Sequence, residues 1–179
     1  MIETPRLKLF PCDDTLFAAM KMGDNVLGQA LGANVPRKWT AFRDSFAPAA
    51  LRWKAHAALR DWWVHLIVYR PDNLLIGSCG YKGEPDADGT VEIGYEIRPS
   101  HRTLGLATEA ARALVKNAFN HATVRRVMAH TSPEENHSSQ LLRTIGFVRT
   151  DDFLDPNDGL VWRWVLEHDA YLKQFIQPS

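Results

Sequence analysis

A predicted strand that runs directly into a predicted helix is the feature that most constrains the fold of this chain. Between Val91 and Ile97, apolar residues alternate with polar or small ones, which is typical of a strand with one buried face. Pro99 ends that strand. From Leu104 to about Asn120, apolar residues recur at three- and four-residue spacing, which predicts an amphipathic helix. This succession favours a sheet covered by helices, because each element must bury its apolar side against another.

The rest of the chain continues this mixture of strands and helices. Alternation and short apolar runs predict further strands at Arg6–Phe10, Val64–Tyr69, Leu74–Tyr81, Val124–Thr131 and Leu160–Leu166. Residues 13–60 have a mainly helical pattern, and a helix over Ser138–Ile145 is predicted to end at Gly146. A length of 179 residues suits one domain. We therefore predict a single domain over residues 1–179 of the α/β (α+β) class, with a mixed central sheet of about six or seven strands flanked by helices.

Charge, cysteine and histidine content exclude several classes of function. Lysine plus arginine number 21, as do aspartate plus glutamate, so the net charge is zero and the basic surface of a nucleic-acid binder is not expected. Two cysteines without C-x-x-C spacing indicate a reducing compartment, and seven histidines without ligand spacing indicate no metal site. The sequence shows neither a membrane-length apolar run nor a signal-peptide pattern. We therefore expect a cytoplasmic protein with no membrane or nucleic-acid partner.

The turn between the predicted strand and helix is suited to binding an anion. It carries Arg102, Gly105 and Ala107, and the two small residues let a ligand approach the N–H groups at the start of the helix. Residues 98–126 hold six basic residues against one acidic, whereas residues 82–96 hold five acidic residues against one basic. This separation favours a site with a cationic side for phosphates and an anionic side for an amine. The alternative is ordinary helix packing beside two solvated faces that differ in charge.

Four segments in a fixed order carry a resemblance to a known family. They are Glu3–Leu7, Val91–Tyr95, the run Arg102-x-x-Gly105-x-Ala107 with its continuation to Ala110, and Asn136 through Leu142 to Gly146-Phe147. Together they resemble the GNAT superfamily of N-acetyltransferases, and the first is similar to the start of its ribosomal-protein N-terminal (alanine) acetyltransferase branch. The resemblance is weakest over residues 13–60. It implies a mixed, strongly bent central sheet with a V-shaped split between the fourth and fifth strands.

The same resemblance implies acetyl-CoA as the cofactor and places it in that split. The pantetheine arm would pair with the strand that ends near Ile97, and Asn136 would contact CoA. Backbone amides of one loop would hold the pyrophosphate, namely those of Arg102, Thr103, Leu104, Gly105, Leu106, Ala107 and Thr108. Thr103 and Leu104 stand where the family often has glycine and a basic residue. Because backbone amides do the binding, we expect function to survive this departure.

Attack of an amine on a thioester needs a proton acceptor for the amine and a donor for the departing thiolate. Glu92 matches the acidic position of the branch that the chain resembles, and Glu96 is a less favoured alternative on the same strand face. The tyrosine that many members carry before Gly-Phe is absent from the predicted helix, and the branch has serine there instead. Counting back from Gly-Phe selects Ser138, which we prefer, whereas counting forward from Asn136 selects Ser139. Helix N-capping is the alternative role for either serine.

These inferences predict an acetyl-CoA-dependent N-acetyltransferase in which a primary amine attacks directly within a ternary complex. The acceptor would be a protein N-terminus or a small amine, and its pocket would come from residues 13–60. Two alternatives stay open, namely transfer of a longer acyl group and a non-catalytic acyl-CoA-binding or regulatory module of the same fold. The aromatic strand at Trp162–Trp164 could lie at an interface, which leaves a homodimer open, although burial within the monomer is favoured.

Overall fold

The computed structural model describes residues 1–55, 61–156 and 159–176, and an eight-stranded sheet forms its centre. The strands are β1 (Ile2–Glu3), β2 (Leu7–Pro11), β3 (Val64–Tyr69), β4 (Leu74–Tyr81), β5 (Thr90–Ile97), β6 (Arg126–Thr131), β7 (Val148–Asp155) and β8 (Gly159–Glu167). The helices are α1 (Asp14–Met22), α2 (Asp24–Leu31), α3 (Phe46–Ala55), α4 (Leu106–Phe119), α5 (His137–Thr144) and α6 (His168–Ile176). Every strand predicted from alternation is present, with ends that differ by at most two residues.

The sheet has more strands than the six or seven that the sequence predicts. Its order is β1-β2-β3-β4-β5-β6-β8-β7, and all neighbours run antiparallel except β5 and β6, which are parallel. β1 spans only two residues, too few to show alternation. β7 lies at the edge of the sheet and is largely exposed, so its sequence lacks the apolar alternation that marks a half-buried strand.

The predicted split in the sheet is confirmed between β5 and β6. β5 pairs with β4 from Ile93 to Ile97, but its pairing with β6 covers only Thr90–Glu92. β6 stays paired with β8 as far as Thr131, so the two parallel strands separate past Glu92 and leave a gap, the fork. These strands are the fifth and sixth in the chain, rather than the fourth and fifth, because the short β1 adds one to the count.

Two clusters of buried apolar side chains cover opposite faces of the sheet. Along β3, Ile67 belongs to the first cluster, whereas its neighbours Leu66 and Val68 belong to the second, as the two-residue period of a strand requires. α4 packs on the first face, where the small side chains of Ala110 and Ala111 are fully buried. The helices α1, α2 and α3 pack on the second face. Helices therefore cover both faces of the sheet. Because α4 follows β5 in the chain, its start lies near the end of β5, where the fork is open.

Residues 13–55 supply the helices predicted for the first third of the chain. They form α1, α2 and α3, and residues 56–60 of the predicted helical region lie outside the described residues. α1 begins after Asp13, whose side chain accepts a hydrogen bond from the Leu16 N–H at 2.9 Å and so caps the helix. Within the described ranges, no helix combines the length and the apolar character needed to cross a membrane.

Candidate active site

A cavity of about 560 Å³, the loop cavity, lies where β5 ends and where α4 and α5 begin. Its walls include nine of the residues that the resemblance implies for cofactor binding or catalysis, namely Ile97, Arg102, Thr103, Gly105, Leu106, Ala107, Thr108, Asn136 and Ser138. Of the other three, Glu92 lines a neighbouring cavity, whereas Leu104 and Ser139 line neither. The fold therefore brings most of the predicted site residues to one place.

The first turn of α4 supplies hydrogen-bond donors to the loop cavity. Glu109 is the first residue whose backbone N–H bonds back along the helix, to the Gly105 carbonyl oxygen at 3.0 Å. The N–H groups of Leu106, Ala107 and Thr108 therefore have no acceptor within the helix, and Gly105 has no side chain to cap them. Gly105 adopts a left-handed φ of +74°, which glycine reaches without steric cost. An anion suits these N–H groups, because they lie at the positive end of the helix dipole.

The loop before α4 is held by side chains on both sides of it. Arg102 Nε donates to the Ile97 carbonyl oxygen at 2.9 Å, which ties the loop to the end of β5. Leu104 is 50% exposed, and its backbone carbonyl oxygen accepts a hydrogen bond from Arg6. Thr103 adopts φ of +63°, a left-handed conformation that costs a β-branched residue about 1–2 kcal/mol. A glycine at this position would avoid that cost.

A second cavity, of about 420 Å³, lies in the fork and is called the fork cavity here. Its walls come from β4, from β5 between Glu92 and Glu96, and from β6 at His130. The two cavities share four lining residues, which are Phe42, Tyr95, Glu96 and Ser138. A ligand in the loop cavity and a ligand in the fork cavity can therefore meet beside these residues.

Glu92 lies at the point where β5 and β6 separate. Its Oε1 accepts a hydrogen bond from His130 Nδ1 at 2.9 Å and lies 2.5 Å from Lys82 Nζ. The Glu92 side chain is only 17% exposed, so these two partners hold the carboxylate at the wall of the fork cavity. The ion pair with Lys82 adds little stability because the lysine is exposed, and its consequence is orientation of the carboxylate.

Glu96 holds a different part of the site together. Its carboxylate accepts hydrogen bonds from Thr40 Oγ1 at 2.7 Å and from the Ala41 N–H at 2.6 Å. These bonds place the next residue, Phe42, beside both cavities, although Phe42 stays 61% exposed. Glu96 therefore anchors the segment that covers the junction of the cavities.

The two serine candidates have different surroundings at the start of α5. The Asn136 side chain caps this helix by accepting from the Ser138 N–H at 2.9 Å and the Ser139 N–H at 3.0 Å. Ser139 completes a capping box, because its Oγ accepts from the Asn136 N–H at 2.9 Å, and it is fully buried. Ser138 lines both cavities instead. Asn136 is the N-cap residue of α5, and it also lines the loop cavity.

Sequence reasoning missed Tyr95, which lies at the junction of the two cavities. Burial raises the pKa of its hydroxyl to about 12, and the nearby Ser138 hydroxyl opposes this only in part. The Tyr95 hydroxyl is buried, and with Ser138 nearby it still forms no hydrogen bond of normal geometry with a described residue, an exception to the usual pairing of buried polar groups. Its place in the alternating pattern of β5 predicts only a core residue. One signal in the sequence could have identified Tyr95. A tyrosine on the apolar face of a strand carries a hydroxyl that needs a hydrogen-bond partner.

Comparison with known proteins decides the family. The acetyltransferase (GNAT) domain profile matches residues 6–148. The chain belongs to this family. It is therefore an N-acetyltransferase, and acetyl-CoA is the acyl donor that GNAT acetyltransferases use, so the predicted family, enzyme class and cofactor are confirmed. The uncharacterized N-acetyltransferase YjdG of Bacillus subtilis (strain 168) is 29% identical over 154 residues, which cover 83% of this chain and 89% of that protein.

Solved structures show the same fold at low sequence identity. RimL, a ribosomal L7/L12 alpha-N-protein acetyltransferase in complex with coenzyme A, has a TM-score of 0.67 at 14% identity, over 93% of this chain and 97% of that one. The spermidine N-acetyltransferase of Vibrio cholerae in complex with CoA and spermine has a TM-score of 0.65 at 16% identity, over 94% and 99% of the two chains. These likenesses concern the fold, and the ribosomal-protein branch of the family stays a prediction.

The residues around the loop cavity fit two parts of acetyl-CoA, namely its pyrophosphate and its thioester end. The free N–H groups of Leu106, Ala107 and Thr108 suit a pyrophosphate, and no side chain at Gly105 intervenes. The buried Tyr95 hydroxyl, which forms no hydrogen bond of normal geometry with a described residue, lies where a ligand in this cavity reaches the fork. The cavity therefore offers hydrogen-bond donors for an anion at one end, and the Tyr95 and Ser138 hydroxyls at the other.

Proposed function

We propose that this enzyme transfers the acetyl group of acetyl-CoA to a primary amine, which is a protein N-terminus or a small amine, by direct attack in a ternary complex. The observation that carries the proposal is the meeting of two cavities at Tyr95, Glu96 and Ser138. The loop cavity suits the anionic cofactor, and the fork cavity brings the acceptor beside a held carboxylate. Bringing both reactants to one junction is itself a large part of catalysis.

Glu92 is the residue that we propose as the proton acceptor for the amine. Acetyl-CoA supplies a thioester carbonyl, and an amine can attack it only after losing a proton. Glu92 lines the fork cavity, and His130 and Lys82 orient its carboxylate. The acidic groups of this cavity also favour an acceptor that arrives as a cation.

Ser138 is the residue that we propose beside the departing sulfur. Its side chain lines the junction of the cavities, next to the Tyr95 hydroxyl. Ser139 is less suited, because its hydroxyl is buried in the capping box of α5. The backbone of residues 102–108 would hold the pyrophosphate, with Asn136 and Ile97 lining the same cavity.

The acceptor class is supported by the known neighbours and by the charge of the fork. RimL is described as acting on a ribosomal protein, and the Vibrio cholerae enzyme as acting on spermidine. Both acceptors present a primary amine. Glu92 and Glu96 lie on one wall of the fork cavity, which suits either acceptor.

A panel of amines tests the proposed function. Peptides with free N-termini, polyamines and simple amines are incubated with acetyl-CoA, and release of free thiol is followed. We expect at least one class to be acetylated. If calorimetry shows that CoA binds but no amine is acetylated, the result would instead favour the non-catalytic acyl-CoA-binding module.

Glu92→Gln tests the assignment of the proton acceptor. It should lower kcat by about 100-fold or more and leave CoA affinity unchanged, because general base catalysis contributes about 10²–10⁴-fold. Glu84→Gln is the matched control, since Glu84 is an exposed carboxylate of the same hairpin that lines a different cavity. Equal rates for Glu92→Gln, Glu84→Gln and the unmodified enzyme would refute the assignment.

A further inference from the structure

The N-terminal segment is bonded to the first turns of α4 through Glu109. Glu109 Oε1 accepts from Thr4 Oγ1 at 2.6 Å and from the Arg6 N–H at 2.9 Å, and its Oε2 accepts from Arg6 Nε at 2.7 Å. Burial raises the pKa of Glu109, but the bonds from Thr4 and Arg6 outweigh it and leave the pKa below its ordinary value. The carboxylate is only 15% exposed, so a charged and well-satisfied contact joins two parts of the chain that are 103 residues apart.

The same guanidinium continues from Glu109 to the loop before α4. Arg6 Nη1 donates to the Leu104 carbonyl oxygen at 2.9 Å. Arg6 Nη2 also lies close behind Gly105, because a Cβ built there would be 3.5 Å from it. Arg6 therefore bridges the helix on one side and the loop on the other, with one planar group that has several fixed donors.

This loop needs a support because its backbone is in an uncommon conformation. Thr103 and Gly105 both adopt left-handed φ values, of +63° and +74°, on either side of Leu104. A non-glycine residue in that region persists only where its surroundings hold it. Two side-chain hydrogen bonds tie this loop to neighbouring segments, one from Arg6 to the Leu104 carbonyl oxygen and one from Arg102 to the Ile97 carbonyl oxygen.

Arg6 does not line the loop cavity, so its effect on a ligand there passes through the loop. Arg6 lines an adjoining cavity together with Glu109 and Arg112. This cavity meets the loop cavity at Gly105 and Thr108, and the charge of Arg6 is paired with Glu109. A direct phosphate ligand would instead face the loop cavity, as Arg102 does.

We propose that Arg6, held by Glu109, is a positioning residue for the pyrophosphate of the cofactor. It keeps residues 103–105 in the conformation that presents the free N–H groups of Leu106, Ala107 and Thr108 to the ligand. The N-terminal segment, through Arg6, thus contributes to cofactor binding. This inference rests on the proposed use of acetyl-CoA at this loop.

Comparison of two acyl donors tests the inference. S-acetylpantetheine carries the same thioester as acetyl-CoA but lacks the pyrophosphate. Arg6→Ala should raise KM for acetyl-CoA by about tenfold, the effect of losing a hydrogen bond from a charged group, and change kcat by less than about twofold. With S-acetylpantetheine, Arg6→Ala and the unmodified enzyme should have the same KM. Arg6→Lys should behave like Arg6→Ala, because an ammonium cannot bridge Glu109 and Leu104 as the planar guanidinium does.

Arg70→Ala is the matched control for the N-terminal segment. Arg70 Nη1 donates to the Thr4 carbonyl oxygen at 2.9 Å, so it also holds this segment, but in the described part of the chain it makes no bond to the loop. It should change KM for both donors by less than about twofold. An equal rise in KM for both donors in Arg6→Ala, or no rise for either, would overturn the inference.

A binding measurement keeps the inference separate from the proposed function. Calorimetry with CoA and with pantetheine needs no acetyl transfer, so it reports on the loop even if no amine is acetylated. We expect Arg6→Ala to weaken CoA binding by about tenfold and to leave pantetheine binding unchanged. If Arg6→Ala does not fold, Glu109→Gln takes its place, because it removes the charge that holds Arg6 and keeps the side-chain size. An unchanged ratio of CoA to pantetheine affinity would contradict the proposal.

Discussion

Acidification should destabilise this protein through His65, a buried imidazole in β3. The residue is only 5% exposed. Burial lowers the pKa of His65 from 6.5 to about 4, although a hydrogen bond to the Trp63 carbonyl oxygen partly opposes this. The ring nitrogen Nδ1 lies 3.1 Å from that oxygen, and since a carbonyl can only accept, Nδ1 carries the proton of the neutral ring.

The size of the effect follows from the two pKa values. Between about pH 6.5 and pH 4, the unfolded chain binds a proton at His65 that the folded chain does not bind. The free energy of unfolding therefore falls as the pH falls, by about 1.4 kcal/mol per pH unit within this window. The loss is about 2 kcal/mol between pH 7 and pH 5, and it levels off near about 3 kcal/mol below pH 4.

Urea unfolding of the unmodified protein and of His65→Asn measures this directly. The asparagine amide can still donate to the Trp63 carbonyl oxygen but does not titrate. Carboxylates contribute equally in both proteins, so the difference between the two pH dependences isolates His65. The unmodified protein should lose about 2 kcal/mol more than His65→Asn between pH 7 and pH 5. Equal losses in the two proteins would refute the reasoning, whatever their stabilities at pH 7.

Three further predictions concern the site. Tyr95→Phe should lower kcat by about tenfold or more, because its hydroxyl lies at the junction of the two cavities. It should leave the free energy of unfolding unchanged within about 0.5 kcal/mol, since the hydroxyl lies near Ser138 but forms no hydrogen bond of normal geometry with a described residue. Thiol release and urea unfolding check the two parts, and a large loss of stability would contradict the second. Thr103→Asn should raise the free energy of unfolding by about 0.5–1 kcal/mol, because asparagine tolerates a left-handed φ better than threonine does; a drop in the urea midpoint would contradict this. Glu96→Ala should speed hydrogen exchange at the Ala41 amide, which donates to Glu96, while Glu84→Ala should not.

The local elements of this protein could be predicted because their residues are neighbours in sequence. Alternation from Val91 to Ile97 identified β5 to within one residue, and the period of the following segment identified α4. The loop that we propose for the pyrophosphate is also accessible from the sequence, because all of its residues lie between positions 102 and 108. β7 is not, since an exposed edge strand needs no apolar alternation.

The serine candidates show where sequence counting stops. Two ways of counting select Ser138 and Ser139, and the sequence favours Ser138 but leaves Ser139 open. The cap of α5 separates the two, because the Asn136 side chain and the Ser139 hydroxyl bond to each other's backbone N–H groups. This arrangement encloses Ser139 and leaves Ser138 beside both cavities.

The sequence by itself therefore determined the family, the class of fold and the loop that suits a pyrophosphate. Only the tertiary structure decided which distant groups meet there. His130 reaches Glu92 because β5 and β6 pair just before they separate, and Arg6 reaches Leu104 because β2 packs beside α4. Apolar residues that recur with a period of two or 3.6 residues indicate which side of a strand or helix is buried. This period does not indicate which other element covers that side, because packing brings together residues that are far apart in the chain.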